Sequence, residues 1–139
     1  MHQRPSIIFI CTENSARSQL AEAYFRAQAG DRFQVYSAGT QPGTIDSRVF
    51  TTLQARDISS EGLRSKSLAE YRGQQFDYAV LLCDKARQEC VHQLQAKEVL
   101  SWDFEDPKPK KGQKPFDVAL NELSERIKFF LLFQQAPSA

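Results

Sequence analysis

The feature that most constrains this chain is an uninterrupted β-rich apolar run, Ser6-Ile7-Ile8-Phe9-Ile10, which leads directly into Cys11. A run with no polar face predicts a strand that is buried on both sides, as in a parallel sheet covered by helices. A short polar loop follows, and residues 19–29 then show the apolar spacing of a helix. Strand, loop and helix in this order predict an α/β fold with the cysteine at the carboxyl edge of the sheet.

The same alternation continues along the chain. Further strands are predicted at residues 33–37, 76–82 and 99–102, and further helices at 46–55, 84–94 and 115–133, with a short helix near Leu68. We therefore expect a three-layer sandwich in which a four-stranded parallel sheet is flanked by helices, and a single domain that spans residues 1–139. Segment 106–115, rich in lysine and proline, is expected to be a mobile, solvated loop.

Two of these helices show a clear apolar face. In the first helix the side chains expected to point inward are Leu20, Ala21, Ala23, Tyr24 and Ala27. In the last helix they are Val118, Leu120, Leu123, Ile127, Phe130 and Leu131. Both faces follow the spacing of an amphipathic helix that packs against a sheet.

Composition and charge exclude several classes of protein. The 139 residues are 41% apolar and carry a net charge of +1, which gives no reason to expect a nucleic-acid partner or a membrane surface. The longest apolar runs are too short to cross a bilayer, and no secretory signal is visible, so we expect a cytoplasmic protein. Its three cysteines are then expected to be thiols rather than a structural disulfide framework.

The loop Cys11-Thr12-Glu13-Asn14-Ser15-Ala16-Arg17-Ser18 has the composition of an anion site. Its backbone N–H groups would surround a tetrahedral oxyanion at a helix N-terminus, and Arg17 would bind two of the oxygens. The same positive field would hold Cys11 as the nucleophilic thiolate, with Ser18 donating a hydrogen bond to the sulfur. The alternative is a buried cysteine at the end of a strand, followed by a surface arginine.

Residues 11–19 resemble the signature loop of the low-molecular-weight tyrosine phosphatase superfamily, which includes an arsenate reductase branch. Positions that match the family pattern are Asn14, Ser15, Arg17 and Ser18, whereas Glu13 and Ala16 depart from the commonest reductase sequences. The resemblance implies a phosphotyrosine phosphatase I-like fold, Cys11 as nucleophile and an oxyanion held by residues 12–17. We expect the Glu13 carboxylate to point away from the anion. Further shared motifs are Ser37-Ala38-Gly39, Cys83 with Cys90, and Asp106-Pro107.

The attack of a thiolate on an oxyanion requires an acid that protonates the leaving oxygen. The resemblance places this acid at the aspartate directly before a proline, which is Asp106 in this chain. The alternative is that Asp106-Pro107 is an ordinary turn pair. Phosphotyrosine phosphatases usually have a tyrosine after this proline, and the lysine found here, Lys108, favours a small inorganic substrate.

Cys83 and Cys90 distinguish the two branches of the family, because a phosphatase needs no further thiol whereas reduction of As(V) to As(III) consumes two. The resemblance to thioredoxin-coupled arsenate reductases implies that Cys11 attacks arsenate, Cys83 attacks Cys11, and Cys90 attacks Cys83. Thioredoxin, or glutaredoxin, would then reduce the resulting disulfide. Residues seven apart on a helix are separated by about 10.5 Å, and a disulfide needs Cα atoms within about 7 Å. A helix between them would therefore have to unwind when they are oxidised.

The loop from Cys11 to Ser18 is called the oxyanion loop below. Related reductases hold a potassium ion beside it. The resemblance matches three of its ligands to Asn14, Glu22 and Ser37, and the position of the fourth, an aspartate, falls at Lys66. The ammonium of Lys66 would then replace the ion by pairing with Glu22. The alternative, which the sequence favours, is an ordinary solvated lysine on the surface.

The leading hypothesis is a thioredoxin-dependent arsenate reductase that needs no cofactor. The first alternative is a low-molecular-weight protein tyrosine phosphatase that hydrolyses phosphate monoesters through a Cys11 phosphocysteine, with Cys83 and Cys90 as passengers or as protection for Cys11. A second alternative is a module that binds an oxyanion or a thiol partner without turnover. No metal site is expected, because the chain lacks the paired short cysteine spacing of structural zinc.

Overall fold

The computed structural model describes residues 4–83 and 94–135. Its strands are β1 (Ser6–Cys11), β2 (Gln34–Gly39), β3 (Gln75–Leu81) and β4 (Gln95–Ser101). Its helices are α1 (Arg17–Ala29), α2 (Ser47–Ala55), a 3-10 helix (Leu68–Tyr71) and α3 (Lys114–Gln135). The four strands form one parallel sheet in the order β2-β1-β3-β4, which confirms the predicted fold class. Residues 84–93 of the predicted helix over 84–94, Cys90 among them, lie outside the described residues.

The central strand β1 is buried on both faces, as its uninterrupted apolar sequence predicts. Ile7 and Phe9 point into the larger core, formed with α1, α2 and α3. Ile8 and Ile10 point to the opposite face, against a smaller core that includes Leu68 of the 3-10 helix. Complete burial of side chains of this size contributes about 1.5–3 kcal/mol each. The strand is therefore a fixed base for whatever follows Cys11.

The inward faces of the helices differ from the prediction at two positions. Ala27 is exposed and Val118 is 47% exposed, although both were expected to face the core. Buried positions of α3 follow a spacing of three and four, and they are Phe116, Ala119, Leu120, Leu123, Ser124, Ile127, Phe130 and Leu131. Val118 lies two positions from both Phe116 and Leu120, which places it on the opposite side of the helix. In α1 the core instead takes Phe25, which packs against Phe9 and Phe33.

The edge strand β4 begins at Gln95, four residues before the predicted start at Val99. Its first half, Gln95-Ala96-Lys97-Glu98, is polar and alternates only weakly, so the sequence does not indicate a strand. Pairing with β3 supplies the missing constraint, because Gln75 is in register with Gln95 and Phe76 with Ala96. An edge strand packs fewer side chains than a central one and can therefore be polar.

The carboxyl ends of the strands meet at one edge of the sheet. Beyond the paired strands, the N–H of Leu82 donates to the Ile10 carbonyl at 2.9 Å, and the N–H of Trp102 donates to the Leu81 carbonyl at 2.9 Å. These two bonds align the segments that follow β1, β3 and β4. Cys11, predicted to lie at the carboxyl edge of the sheet, is found there together with Cys83 and the segment after Trp102. No helix among the described residues is long and apolar enough to cross a membrane.

Candidate active site

The loop between β1 and α1, residues 12–16, is fixed by hydrogen bonds that its carbonyl groups accept from another segment. The carbonyls of Thr12, Glu13 and Ser15 accept hydrogen bonds at 2.8, 2.9 and 3.0 Å from the N–H groups of Gln41, Gly43 and Asp46, respectively. All three donors belong to the connection between β2 and α2. These bonds turn three carbonyl groups of the loop toward that connection and fix the backbone of the loop. This arrangement is typical of a backbone anion site.

Asn14 closes the turn of the loop and joins it to its surroundings. It has a φ of 53°, a left-handed conformation that asparagine tolerates better than most residues, and its side chain is fully buried. Its Nδ2 donates to Ser18 Oγ at 2.7 Å and to Ser37 Oγ at 3.0 Å, while its Oδ1 accepts from the backbone N–H of Lys66 at 2.8 Å. One side chain thus fixes the loop to α1, to β2 and to the segment after α2.

Gly39 allows the loop to lie directly against the end of β2. A Cβ atom at this position would stand 2.6 Å from the Thr12 carbonyl oxygen and 2.8 Å from the Asn14 nitrogen. Both neighbours are backbone atoms, and the Thr12 carbonyl is already held by the N–H of Gln41, so the loop cannot easily retreat. The glycine of Ser37-Ala38-Gly39 is therefore required by close approach of two backbone segments.

Cys11 is 3% exposed, and its Sγ lies 2.9 Å from Ser18 Oγ. Because Ser18 Oγ already accepts a hydrogen bond from Asn14, its own proton is free to be donated to the sulfur. This hydroxyl belongs to the first turn of α1. The geometry therefore brings the predicted nucleophile and the predicted sulfur-stabilising hydroxyl into contact.

Arg17 is fixed by bonds that leave part of its guanidinium available. Its Nη1 donates to the carbonyls of Leu82 at 3.2 Å and Phe104 at 2.8 Å, and its Nη2 lies 3.7 Å from Asp106 Oδ2. Its Nε is buried and has no hydrogen-bond partner in the described part of the chain. A buried donor without a partner is costly unless a ligand accepts from it. Arg17 is therefore placed to bind an anion over the loop.

The predicted residues surround one cavity of about 220 Å³, large enough for a small tetrahedral oxyanion. Its walls are formed by Cys11, Thr12, Glu13, Ser15, Ala16, Arg17 and Asp106. The predicted nucleophile Cys11, the predicted anion-binding Arg17 and the predicted acid Asp106 thus line one cavity. Asp106 accepts a hydrogen bond from the backbone N–H of Lys108 at 3.0 Å, which orients its carboxylate at the cavity mouth.

Glu13 and Lys108, which both differ from the residues usual in the family, contact each other at the rim of the cavity. The Glu13 carboxylate is close to half exposed and forms an ion pair with the ammonium of Lys108. Its negative charge is therefore balanced at the rim, and the carboxylate points toward solvent as expected. The pair connects the oxyanion loop with the segment that carries Asp106.

Most of the segment after Asp106 is exposed, as its composition predicts, and its backbone is bound by Arg48. Arg48 of α2 donates to the carbonyls of Lys108 at 2.9 Å, Lys110 at 2.6 Å and Gly112 at 3.1 Å. Sequence reasoning missed Arg48, because the backbone carbonyls that it binds carry no sequence signature. The only signal was its place two residues after the predicted helix cap Asp46, which binds its guanidinium.

Asp46 and Arg48 form a close ion pair beside this segment. Asp46 Oδ1 accepts from the backbone N–H of Arg48 at 2.9 Å, which confirms the predicted cap of α2. Asp46 Oδ2 lies 2.8 Å from Arg48 Nη2. Hydrogen bonds from Arg48 hold the pKa of the Asp46 carboxyl below its usual value, against the opposing effect of burial. The carboxylate is therefore charged throughout the neutral range.

Cys83 follows β3 and lies beside the oxyanion loop. It is partly buried, and its Sγ stands 3.5 Å from the Thr12 hydroxyl oxygen. This contact places a second thiol next to the loop that begins at Cys11. Cys90 lies outside the described residues, so the complete thiol relay stays a prediction.

Lys66 is buried, and the interpretation as a solvated surface lysine is wrong. It is 5% exposed, and its Nζ lies 3.2 Å from Glu22 Oε1 and 2.9 Å from the Arg64 carbonyl. The N–H of Gly39 donates to the Lys66 carbonyl at 2.9 Å, and this bond draws a polar segment into the protein. Burial here depends on a contact between residues distant in sequence.

Glu22 is surrounded by donors. Besides Lys66, it accepts from Ser37 Oγ at 2.5 Å and pairs with Arg26 at 2.6 Å. The ammonium of Lys66 thus lies among the residues that the resemblance assigned to a potassium site. In the described ranges no group of three or more His, Cys, Asp or Glu side chains is placed to hold a metal ion.

Comparison with known proteins gives consistent results. The family model for low molecular weight phosphotyrosine protein phosphatase matches residues 6–136. An arsenate reductase from Bacillus cereus is 31% identical over 130 residues, covering 94% of this chain and 96% of the relative. A thioredoxin-dependent arsenate reductase from Corynebacterium glutamicum has a TM-score of 0.74 at 25% identity, covering 95% of this chain and 62% of that one. A low molecular weight protein tyrosine phosphatase from T. tengcongensis has a TM-score of 0.81 at 23% identity, covering 92% and 98%, and shows the fold alone.

Proposed function

This chain belongs to the low molecular weight phosphotyrosine protein phosphatase family, and on that premise we propose that it reduces arsenate to arsenite. The observation that carries the proposal is the position of Cys83, whose sulfur lies 3.5 Å from the hydroxyl of Thr12 in the oxyanion loop. Hydrolysis of a phosphate ester needs no second thiol, whereas a two-electron reduction requires one. The curated relatives of similar length support the same activity.

The first step is attack by Cys11 on arsenate bound in the cavity. The N–H groups of the loop and the guanidinium of Arg17 hold the anion and neutralise its charge. An S–As bond forms and one As–O bond breaks. The leaving oxygen departs as water after it takes a proton from Asp106, and the Ser18 hydroxyl stabilises the sulfur before the attack.

The second step transfers two electrons to arsenic. The Cys83 thiolate attacks the Cys11 sulfur, an S–S bond forms, and the electron pair of the S–As bond stays with arsenic. As(V) thereby becomes As(III), arsenite leaves, and two thiols become one disulfide. Cys90 then attacks Cys83, which releases the Cys11 thiolate for the next cycle.

The final reductant in this proposal is thioredoxin, or glutaredoxin as the alternative dithiol. Support comes from the Corynebacterium glutamicum protein, which is described as thioredoxin-dependent. A relay of this kind works only where thiols are regenerated, so we place the protein in the cytoplasm.

A protein tyrosine phosphatase activity is the second candidate, because the same cavity would accept a phosphate monoester. In that reaction water would hydrolyse a Cys11 phosphocysteine, and neither Cys83 nor Cys90 would take part. Lys108 argues against a preference for phosphotyrosine, because its ammonium pairs with Glu13 at the rim instead of offering an aromatic wall.

A count of free thiols separates the two candidates. Fully reduced protein is incubated anaerobically with arsenate, and with phosphate as the control. Arsenate reduction predicts that the number of free thiols falls from three to one with arsenate and stays at three with phosphate. Three thiols retained, together with hydrolysis of a small aryl phosphate, would identify a phosphatase.

A further inference from the structure

Arg48 lies in α2, but its guanidinium forms three hydrogen bonds with the segment after Asp106. Its guanidinium donates to three alternate carbonyls of that segment, those of Lys108, Lys110 and Gly112. The guanidinium also stacks over the Phe116 ring at 4.2 Å from the ring centroid. A segment of mixed lysines and prolines thereby acquires a defined path across the protein surface.

The same part of α2 is also bonded to the oxyanion loop. The N–H of Asp46 donates to the Ser15 carbonyl at 3.0 Å, and both carboxylate oxygens of Asp46 bind the Arg48 guanidinium. Gln113 closes the far end, because its Nε2 donates to the Arg48 carbonyl at 2.8 Å. A continuous chain of bonds therefore runs from the loop that holds the oxyanion to the segment that carries the predicted acid.

We propose that Arg48 is a positioning residue that holds Asp106 over the oxyanion cavity. The inference rests on the proposed function for the acid role of Asp106. Arg48 does not line the cavity itself, and it acts through the backbone of residues 108–112. The carboxylate of Asp106 is oriented by the N–H of Lys108, whose carbonyl is one of the three that Arg48 binds.

Arginine is the side chain that this arrangement requires. The Nη1 and Nη2 atoms of Arg48 contact three carbonyls while its Nε and Nη2 bind Asp46, which uses the planar fork of five donors. A lysine has three donors on one atom and cannot reach both the carboxylate and the separated carbonyls. We therefore expect an Arg48→Lys variant to recover only part of the effect.

The first test measures whether Arg48 holds the segment. Trypsin cleaves after lysine but poorly before proline, so the bonds after Lys110 and Lys111 are the sensitive ones, while those after Lys108 and Lys114 are protected by the next residue. Under native conditions we expect Arg48→Gln to be cut after Lys110 or Lys111 at least about tenfold faster than the unchanged protein. The matched control is Arg56→Gln, at the other end of α2, where the guanidinium stacks on Tyr24 and does not reach the segment.

The second test measures whether the hold serves Asp106. Single-turnover thiol loss with arsenate is compared for Arg48→Gln, Asp106→Asn and the double variant. General acid catalysis contributes a rate enhancement of about 10²–10⁴-fold, and we expect Asp106→Asn to lose most of that enhancement. We expect the rate of Arg48→Gln to fall by roughly 10- to 100-fold, with little change in KM. In the Asp106→Asn background the Arg48 change is expected to have no further effect.

Each outcome decides a different point. Additive losses in the double variant, or an unchanged rate in Arg48→Gln, would overturn the positioning role. Equal trypsin cleavage of Arg48→Gln and Arg56→Gln would overturn the hold itself. If unchanged protein loses no thiols with arsenate, the proposed function fails, yet the protease comparison still decides whether Arg48 fixes the segment. Should Arg48→Gln fail to fold, Arg48→Lys serves in both tests. Compared with the unchanged protein, its cleavage after Lys110 or Lys111 is then expected to be faster and its loss of thiols with arsenate slower.

Discussion

The ammonium of Lys66 lies 3.2 Å from Glu22 Oε1, and both side chains are almost fully buried. Glu22 also pairs with Arg26 at 2.6 Å and accepts a hydrogen bond from Ser37. Through the Asn14 side chain, this buried cluster is connected to Ser18 and so to Cys11. The Lys66 ammonium is therefore a fixed cation in the hydrogen-bonded cluster that holds the oxyanion loop.

The first prediction concerns this built-in cation. Because the Lys66 ammonium already lies against Glu22, we expect the arsenate-dependent thiol loss to run at the same rate in potassium chloride and in sodium chloride of equal ionic strength. Lys66→Met leaves the buried Glu22 carboxylate with the partly exposed Arg26 as its ionic partner, so the free energy of unfolding should fall, by at most about 3 kcal/mol. Urea unfolding measures the second effect. A rate that rises severalfold with potassium alone would contradict the replacement.

The second prediction concerns Ser18. A hydrogen bond to a charged group contributes about 1.5–3 kcal/mol, and the Ser18 hydroxyl lies 2.9 Å from the Cys11 sulfur. Ser18→Ala should therefore slow the attack on arsenate by about 10- to 100-fold, with a smaller change in KM. Stopped-flow measurement of the thiol loss tests this. Its control is Ser124→Ala, a buried serine on α3 whose hydroxyl donates to the Asn121 carbonyl far from the site.

The third prediction concerns Gly39. A methyl group there would stand 2.6 Å from the Thr12 carbonyl oxygen, so the loop and β2 would have to separate. Overpacking of this kind costs about 1–3 kcal/mol, and we expect Gly39→Ala to lose that much stability and most of its anion binding. Calorimetric titration with phosphate measures the binding. Gly43→Ala is the matched control, since its added carbon would meet only the end of the flexible Glu13 side chain at 3.1 Å.

The fourth prediction concerns pH. Hydrogen bonds from Arg48 lower the pKa of Asp46 below 3.8 in the folded protein. The stabilisation from this carboxylate is therefore present above about pH 4 and is lost as the pH falls through the folded pKa. Asp46→Asn keeps a good helix cap but removes the charge, so it should lower stability at pH 7 and reduce the loss of stability below pH 4. Urea titrations at several pH values decide this, and identical pH dependence in both proteins would refute it.

The fifth prediction concerns Cys83 and Cys90. If the intervening residues are helical in the reduced protein, the two Cα atoms are separated by about 10.5 Å and a disulfide cannot form without unwinding. Oxidation after one turnover should then reduce the helical signal in far-ultraviolet circular dichroism. A Cys90→Ser variant should show no such change. Equal helical content in the reduced and oxidised proteins would exclude the transition.

Much of the fold was predictable because β1 carries an unambiguous signal. An apolar run with no polar face has few alternatives to a central parallel strand, and the helix after the oxyanion loop follows from spacing alone. The edge strand β4 was predicted too short because its first half is polar and gains its conformation only from pairing with β3. Val118 was misplaced because apolar character alone does not say which side of α3 faces the core.

By itself, the sequence determined the parallel sheet, the cysteine at its carboxyl edge and the candidate residues Cys11, Arg17, Ser18 and Asp106. The sheet and its edge depend on local pattern and the oxyanion-binding candidates on a short motif, which a linear sequence displays directly, whereas Asp106 was assigned by its place in the family resemblance. Only the tertiary structure decided the burial of Lys66 and the contacts of Arg48. Lys66 is buried through its contacts with Glu22 and Gly39, and Arg48 binds backbone carbonyls some 60 residues away along the chain. Backbone acceptors are the same at every residue, so their contribution appears only when the fold brings them to a donor.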